Sequence, residues 1–381
     1  MTIRSKLIFP LCKTCAEENE QSYCTHRFGQ RYLRGTWTTA ELHYAMNRGY
    51  KVVEVFEVWH WSERRKGLFS KYVDTFMKIK IESSGWPSYC VDEESKDAFV
   101  RQVQESEGIQ IEKDKVVKNP GWRKIAKDML NNFWGKYGQS DELSKTEFIH
   151  DPRKFFEKVR SKACKISDIH LATEKCCMVT STVESEYNEG NPCGNLAIAA
   201  FTTSWARLRL LDMLRRLDQR VLYCDTDSAI YVSRPGDFEP ERGNVLGMWS
   251  DEPKSGETSI EKFMCLGPKS YAYVTDTGRQ EVKSKSFTQN GFTEDILEWS
   301  TNGEELVRTG RKIDFDSMNH LLQNRGEKLQ VVYPSFMKRN FKQQSIKNVV
   351  LAKQMRLVYD KRVLHDDFTT RPFGTRAPPS V

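Results

Sequence analysis

At 381 residues the chain is long enough for two or three domains with buried cores. Its 59 Lys and Arg against 52 Asp and Glu leave a charge of +7, which permits a nucleic-acid partner without requiring one. No apolar run reaches membrane-spanning length and residues 1–10 hold no signal-peptide core, so an intracellular protein with no membrane partner is expected.

Arg64-Arg65-Lys66 is too short a basic run to argue nuclear import, so nucleus and organelle are not separated. A chain this large does not need the 10 Cys residues as a disulfide scaffold. Cys90, Cys164, Cys176, Cys177, Cys193 and Cys265 read as small apolar residues.

A different pattern begins at Cys12. Cys12, Cys15, Cys24 and His26 give C-x2-C-x8-C-x-H, two closely spaced ligand pairs around a polar loop, Ala16 to Tyr23. That spacing suits a structural, four-ligand Zn²⁺ site. A chance grouping of thiols and a redox C-x-x-C ahead of a helix are the competing readings. Thr38 or Thr39, Glu41 and Gly49 bound a capped helix over 40–48, and the Val- and Trp-rich run Lys51 to Trp61 predicts a strand.

Leu68, Phe69, Tyr72, Val73, Phe76 and Ile79 fall at helical spacing over Leu68 to Lys80, ended by Ser83-Ser84-Gly85-Trp86-Pro87. Glu93 to Gln110 predicts a second, solvated helix. Within a third, Trp122 to Gly138, Arg123, Lys127 and Asn131 are four residues apart and form one polar stripe. Ile125, Met129, Leu130 and Phe133 are expected to pack. A cationic stripe beside Trp134 and Gly135 suits a triphosphate and a stacked base, and also an ordinary solvated helix face.

Ser140 to Glu189 reads as an inserted lobe with strands such as Cys176 to Thr182. Asn195 to Asp218 predicts a helix burying Leu196, Ala199, Ala200, Thr203, Ala206, Leu210, Leu211 and Leu214. It leads into Tyr223-Cys224-Asp225-Thr226-Asp227-Ser228, where apolar runs on either side predict two strands joined by a tight turn. Asp225 and Asp227 are two residues apart, so on extended chain their carboxylates point the same way, as a divalent-cation site requires. A polar turn would use the same residue types. Leu266 to Val274 predicts one strand with Lys269 and Tyr271 on one face. Polar helices and strands follow, basic around Lys338 to Lys347, and Arg371 to Val381, with three Pro, predicts a loose tail.

Three stretches now stand in order: Lys127-x3-Asn131-Asn132-x-Trp134-Gly135, Tyr223-x-Asp225-Thr226-Asp227-Ser228 and Lys269-x-Tyr271. Together they resemble family B DNA polymerases, specifically the protein-primed branch of organellar and viral type. That branch occurs in bacteriophages, linear plasmids and the self-synthesising transposons called Polintons or Mavericks. Leu68 to Gly85, Phe201 to Arg207, Leu246 to Trp249, Tyr359 to Arg362 and Thr370 to Gly374 extend the resemblance over most of the chain, and the cysteine cluster resembles Polinton-type members.

The resemblance implies an α+β right-hand architecture. Its parts would be a partial palm with the zinc loop over 1–66, helical fingers over 67–139, an inserted and priming-related lobe over 140–190, an antiparallel palm over 191–290, and a mixed thumb with tail over 291–381. It implies DNA replication by nucleotidyl transfer from a dNTP to a primer 3′ hydroxyl at two Mg²⁺ ions, on a DNA primer-template with a terminal priming protein as a possible partner. Asp227 would bind both metals with Asp225 beside it. Lys127 would contact the triphosphate, with Arg123 assisting. Asn131 would sit at the nascent base pair, and Lys269 and Tyr271 would hold the primer terminus.

There are departures. Asn132 and Trp134 stand where most members have Ser and Tyr; a Tyr there helps discriminate the sugar, and Trp134 keeps only the aromatic plane. No Asp-x-x-Ser-Leu-Tyr-Pro, the family's upstream metal-binding motif, precedes residue 127, and no exonuclease carboxylate set is present. The chain thus resembles the C-terminal part of a polymerase and is expected to be inactive alone. A catalytically inactive DNA-binding remnant of a transposable element and a zinc-stabilised interaction protein are the alternatives. A reverse transcriptase would carry two adjacent Asp where Thr226 intervenes.

Overall fold

The computed structural model describes residues 2–3, 6–63, 65–191, 194–243, 246–254, 256–287, 296–299, 306–309, 312–340, 343 and 345–378. Cys193, Arg64 and the last three residues of the expected tail therefore lie outside the described residues. The helices are α1 (Lys13–Glu18), α2 (Phe28–Arg31), α3 (Thr39–Met46), α4 (Ser70–Glu82), α5 (Glu93–Glu107), α6 (Pro120–Tyr137), α7 (Pro152–Arg160), α8 (Leu196–Leu217) and α9 (Phe315–Gln323). The longer strands are β1 (Lys145–Ile149), β2 (Cys164–Thr173), β3 (Cys176–Val183), β4 (Val221–Asp225), β5 (Ser228–Tyr231), β6 (Ile260–Gly267), β7 (Ser270–Thr275), β8 (Gln280–Ser284), β9 (Leu329–Asn340) and β10 (Ser345–Met355). The pairings within β1-β3-β2, β6-β7-β8 and β9-β10 are antiparallel, which makes the chain α+β. No helix among the described residues is long and apolar enough to cross a membrane.

Two compact units result. One gathers residues 37–221 and 226–250; the other gathers 1–36, 222–225 and 251–381. In the first, Asp92 caps α5 by accepting from Ser95 N at 2.8 Å, and Gly108, at φ 69, supplies the left-handed residue that ends it. Charge-rich α5 is not solvated all round: Phe99 and Val103 bury beside Met77, Ile109, Ile111 and Val116.

Helices α4 and α6 lie antiparallel. Asn119 N donates to Ser83 O at 2.8 Å at one end, and Phe133 meets Tyr72 and Phe69 with centroids 5.0 and 5.3 Å apart at the other. The packed stripe of α6 runs through Ala126, Leu130, Phe133 and Tyr137, a spacing of four, three and four. Ile125 and Met129, expected to pack, lie off that stripe and are exposed.

Helix α8 buries Ala199 as expected, but its other buried residues are Ser204, Leu208, Met213 and Leu217, while the expected Leu196, Ala206 and Leu211 are exposed. The cause is α3. Its cap Thr38 donates to Ser204 Oγ at 3.0 Å, and Arg207 Nε donates to Glu41 at 2.8 Å, so a polar residue becomes the docking point. Lys51 to Trp61 forms no strand. Val53, Val55, Phe56, Val58 and Trp59 are all more than 60% exposed, because β-propensity needs a ladder partner and none of the described strands pairs with this run.

In the second unit α9 packs its Met318 and Leu321 with Met264 and Leu266 of β6, Ala272 of β7, and Val331, Tyr333 and Met355 of β9 and β10. The single strand expected over Leu266 to Val274 is instead two. Gly267 (φ 141), Pro268 and Lys269 (φ 59) turn the chain between β6 and β7, so Lys269 sits in the turn and Tyr271 on β7. The expected loose tail is docked: Phe373 is 1% exposed among Ile8, Cys12, Cys15, Cys24 and Val363. Backbone hydrogen bonds hold it, Leu11 N to Phe373 O at 2.7 Å and Cys24 N to Thr375 O at 2.8 Å. The loop expected over 16–23 begins inside α1.

Phe99→Ala removes a buried ring and is expected to destabilise the first unit by about 3–5 kcal/mol, whereas Ile125→Ala changes it by less than about 0.5 kcal/mol. Denaturant titration of both variants measures the difference.

Candidate active site and metal centre

The antiparallel packing of α4 on α6 brings the C-terminal end of one helix to the N-terminal end of the other. Between them lies a cavity of about 730 Å³ lined by Ser83, Ser84, Lys118, Pro120, Arg123, Lys124 and Lys127. Arg123 Nε donates to Ser84 Oγ at 3.2 Å, and Lys124 pairs with Asp128 at 2.7 Å. Lys80 joins this group: burial first, then the charges of Arg123 and Lys127, lower its pKa. Like charges gathered at the start of an 18-residue helix, where backbone N–H groups also point outward, suit an anion with several charges.

Of the residues expected at the nucleotide, Arg123 and Lys127 line the cavity. Asn131 is exposed further along α6, Trp134 is half-buried, and neither lines it. The sequence reading missed Lys80, Lys118 and Lys124. Lys80 had a signal, since it stands in the last turn before Ser83-Ser84-Gly85, but only the fold shows which helix start it meets.

Asp225 ends β4, and Thr226 (φ 52) and the exposed Asp227 form the turn before β5. Lys269 Nζ reaches Asp225 Oδ2 at 2.5 Å, and its backbone N–H donates to Tyr223 Oη at 3.0 Å. The Tyr223 ring lies 4.7 Å from that of Tyr271, and burial raises the pKa of both phenols. The structure thus brings together Asp225, Lys269 and Tyr271, through a turn rather than along one strand. Tyr223 is the connecting residue.

Cys12, Cys15, Cys24 and His26 offer four ligand atoms within 4.8 Å of one another, the one such cluster of His, Cys, Asp or Glu among the described residues. His26 Nδ1 lies 3.2 Å from the Cys15 sulfur and 3.7 Å from those of Cys12 and Cys24. All three cysteines are buried and free of disulfides. Burial, with hydrogen bonds to Cys24 and Cys12, pushes the Cys15 thiol up to about 12. Burial also acts to raise Cys24, but hydrogen bonds from Cys15 and His26 outweigh it and bring Cys24 down to about 7. Three sulfurs and one imidazole at these separations fit a closed tetrahedral Zn²⁺ site.

Zinc binding must expel the thiol protons, so affinity is expected to fall as the pH drops from about 8 to 6. Competition against a chromogenic chelator across that range checks it, with Cys24→Ser as the variant that loses the ion. Lys80→Met is expected to weaken pyrophosphate binding at the cavity about tenfold, or ~1.4 kcal/mol, by calorimetry.

Residues 8–87 match the family model described as DNA polymerase type B, organellar and viral. The match takes in the cysteine cluster, α3 and α4, and it supports a family B polymerase. Comparison with curated proteins and with solved structures gave no significant match.

Proposed function

We propose that this chain is part of a DNA-directed DNA polymerase of family B that performs nucleotidyl transfer from a dNTP to a primer 3′ hydroxyl. One observation carries the reading: the type B match over residues 8–87 and the downstream motifs at Lys127, Asp225 and Lys269 occupy separate stretches and point to the same chemistry. The cationic cavity supports it. Lys80, Arg123 and Lys127 would hold the triphosphate, fixing its position while their charge offsets that on the phosphates. Asn131 and Trp134, further along α6, would meet the base and sugar.

Magnesium is bound by one or two carboxylates together with substrate phosphates, and Asp225 and Asp227, two hard oxygen donors two residues apart, offer that set. Held there, it would supply activation of the attacking hydroxyl and neutralisation of the leaving oxygens. Lys269, already drawn to Asp225, would keep the carboxylate oriented and with Tyr271 would hold the primer end. On β9 and β10, Lys338 stands directly opposite Lys347, with Arg339 adjacent and all three exposed. Like charges opposed across a ladder repel, and a DNA backbone between them would relieve that.

In this reading residues 67–139 are fingers, 191–290 palm and 291–381 thumb of a right-hand polymerase, the lobe over 140–190 serves priming, and the zinc cluster braces the fold. Protein-primed initiation in a transposon-like element belongs to the same proposal. A second reading, a non-catalytic DNA-binding protein, is favoured by one observation: the sequence holds no Asp-x-x-Ser-Leu-Tyr-Pro motif.

Primer extension distinguishes them, measured with the chain alone and with any coding sequence upstream of residue 1 restored. Extension only with the upstream sequence restored, falling at least about a thousandfold in Asp227→Ala, or ~4 kcal/mol, is the expected result. Duplex binding without extension in either form would establish the second reading.

A further inference from the structure

We infer that the C-terminal segment Arg371–Thr375 is a working part of the metal centre, joined to it by Arg31, a positioning residue for the ligand Cys24. The inference rests on the reading of Cys12, Cys15, Cys24 and His26 as a zinc site. All of the residues involved belong to one compact unit.

Arg31, at the end of α2, divides its guanidinium between the two parts. Its Nη1 donates to the Cys24 sulfur at 2.7 Å, and its Nη2 donates to Leu11 O at 3.3 Å and to Gly374 O at 3.1 Å. A planar fork with fixed donor directions can serve a sulfur and two carbonyls at once; a lysine ammonium has no such geometry. The segment is fastened on both sides of that point. Leu11 N, next to Cys12, bonds Phe373 O, and the ligand residue Cys24 itself donates its backbone N–H to Thr375 O. Arg371 donates to the carbonyls of Gln21 and Ser22 in the loop between Cys15 and Cys24, and its guanidinium lies 4.1 Å from the centroid of Tyr23.

The fit leaves no space. Gly374 has φ 92, and a Cβ there would overlap the Cβ and backbone nitrogen of Cys12. Phe373 fills the apolar floor beside Cys12, Cys15 and Cys24. The backbones carrying two ligands are therefore held from residues about 350 positions later in sequence, in the way that groups behind a metal ligand fix its direction. Metal occupancy and docking of the segment must then favour each other: the ion orders the loop the segment binds, and the segment orders the ligands the ion binds.

The test uses the full chain. Zinc affinity is read by chelator competition for the wild type, Arg31→Met and Gly374→Val, with folding checked by circular dichroism. Trypsin cleavage of the Arg376–Ala377 bond is timed in the wild type with zinc and after chelation. Expected are one zinc per chain, a loss of about ten- to a hundredfold in affinity in both variants, and cleavage that accelerates on chelation while the Lys124–Ile125 bond of α6 does not change. Wild-type affinity in Arg31→Met, with cleavage at Arg376 indifferent to zinc, would overturn the inference and leave the zinc site standing. No zinc in the wild type would remove the zinc site and the inference with it. The proteolysis arm needs no variant, so a misfolded Gly374→Val does not blunt the test.

Discussion

The antiparallel packing of α4 on α6 is the constraint on which the candidate active site depends. Phe69, Tyr72, Phe133 and Tyr137 clasp one end of the pair, and the Asn119–Ser83 hydrogen bond closes the other. Each aromatic pair contributes about 0.5–1.5 kcal/mol beyond its buried area. That stabilisation opposes the repulsion among Lys80, Arg123 and Lys127, which Glu107 only partly offsets at Lys80. Lys80 responds to burial and to its cationic neighbours by giving up part of its basicity. A polyanion would offset both effects, which is the physical ground for the triphosphate site proposed above.

The cysteine cluster solves a different problem. Helices α1 and α2 have six and four residues, too few to persist alone in water, and the apolar residues around them make a small core. A bound ion would replace the missing hydrophobic area with four ligand bonds. The same core takes in Phe373 and Val363, so it is built from segments far apart in the sequence.

Local chemistry was legible in the sequence where the signal was itself local. The cap at Thr38, the turn between Asp225 and Ser228, and the Cys-Cys-Cys-His spacing each depend on residues within a few positions, and each is present. What escaped the sequence reading depended on partners far along the chain. Ser204 is buried because Thr38 docks on it; the run from Lys51 to Trp61 has strand composition without a ladder; Phe373 looked like tail because its core is made by Cys12 and Cys24. Lys269 was misplaced for a local reason, since Gly267-Pro268 is a turn signal inside an apolar run and composition outweighed it. At the candidate site, Arg123 and Lys127 were visible as a stripe, whereas Lys80 became visible only once α4 was laid against α6.

Construction of one unit from residues 1–36 and 251–381 also dictates an order of events during synthesis. The cysteine-bearing segment is made well before Val363 and Phe373, the residues that cover its core. At roughly 5–20 residues per second, the intervening chain takes tens of seconds to emerge, and in that interval residues 37–221 can collapse around their own contacts. The thiols of Cys12, Cys15 and Cys24 meanwhile have no Phe373 over them. An ion captured early would keep them from oxidation and mark the place to which residues 371–375 must return, so that zinc supply would govern the yield of folded protein as well as its stability.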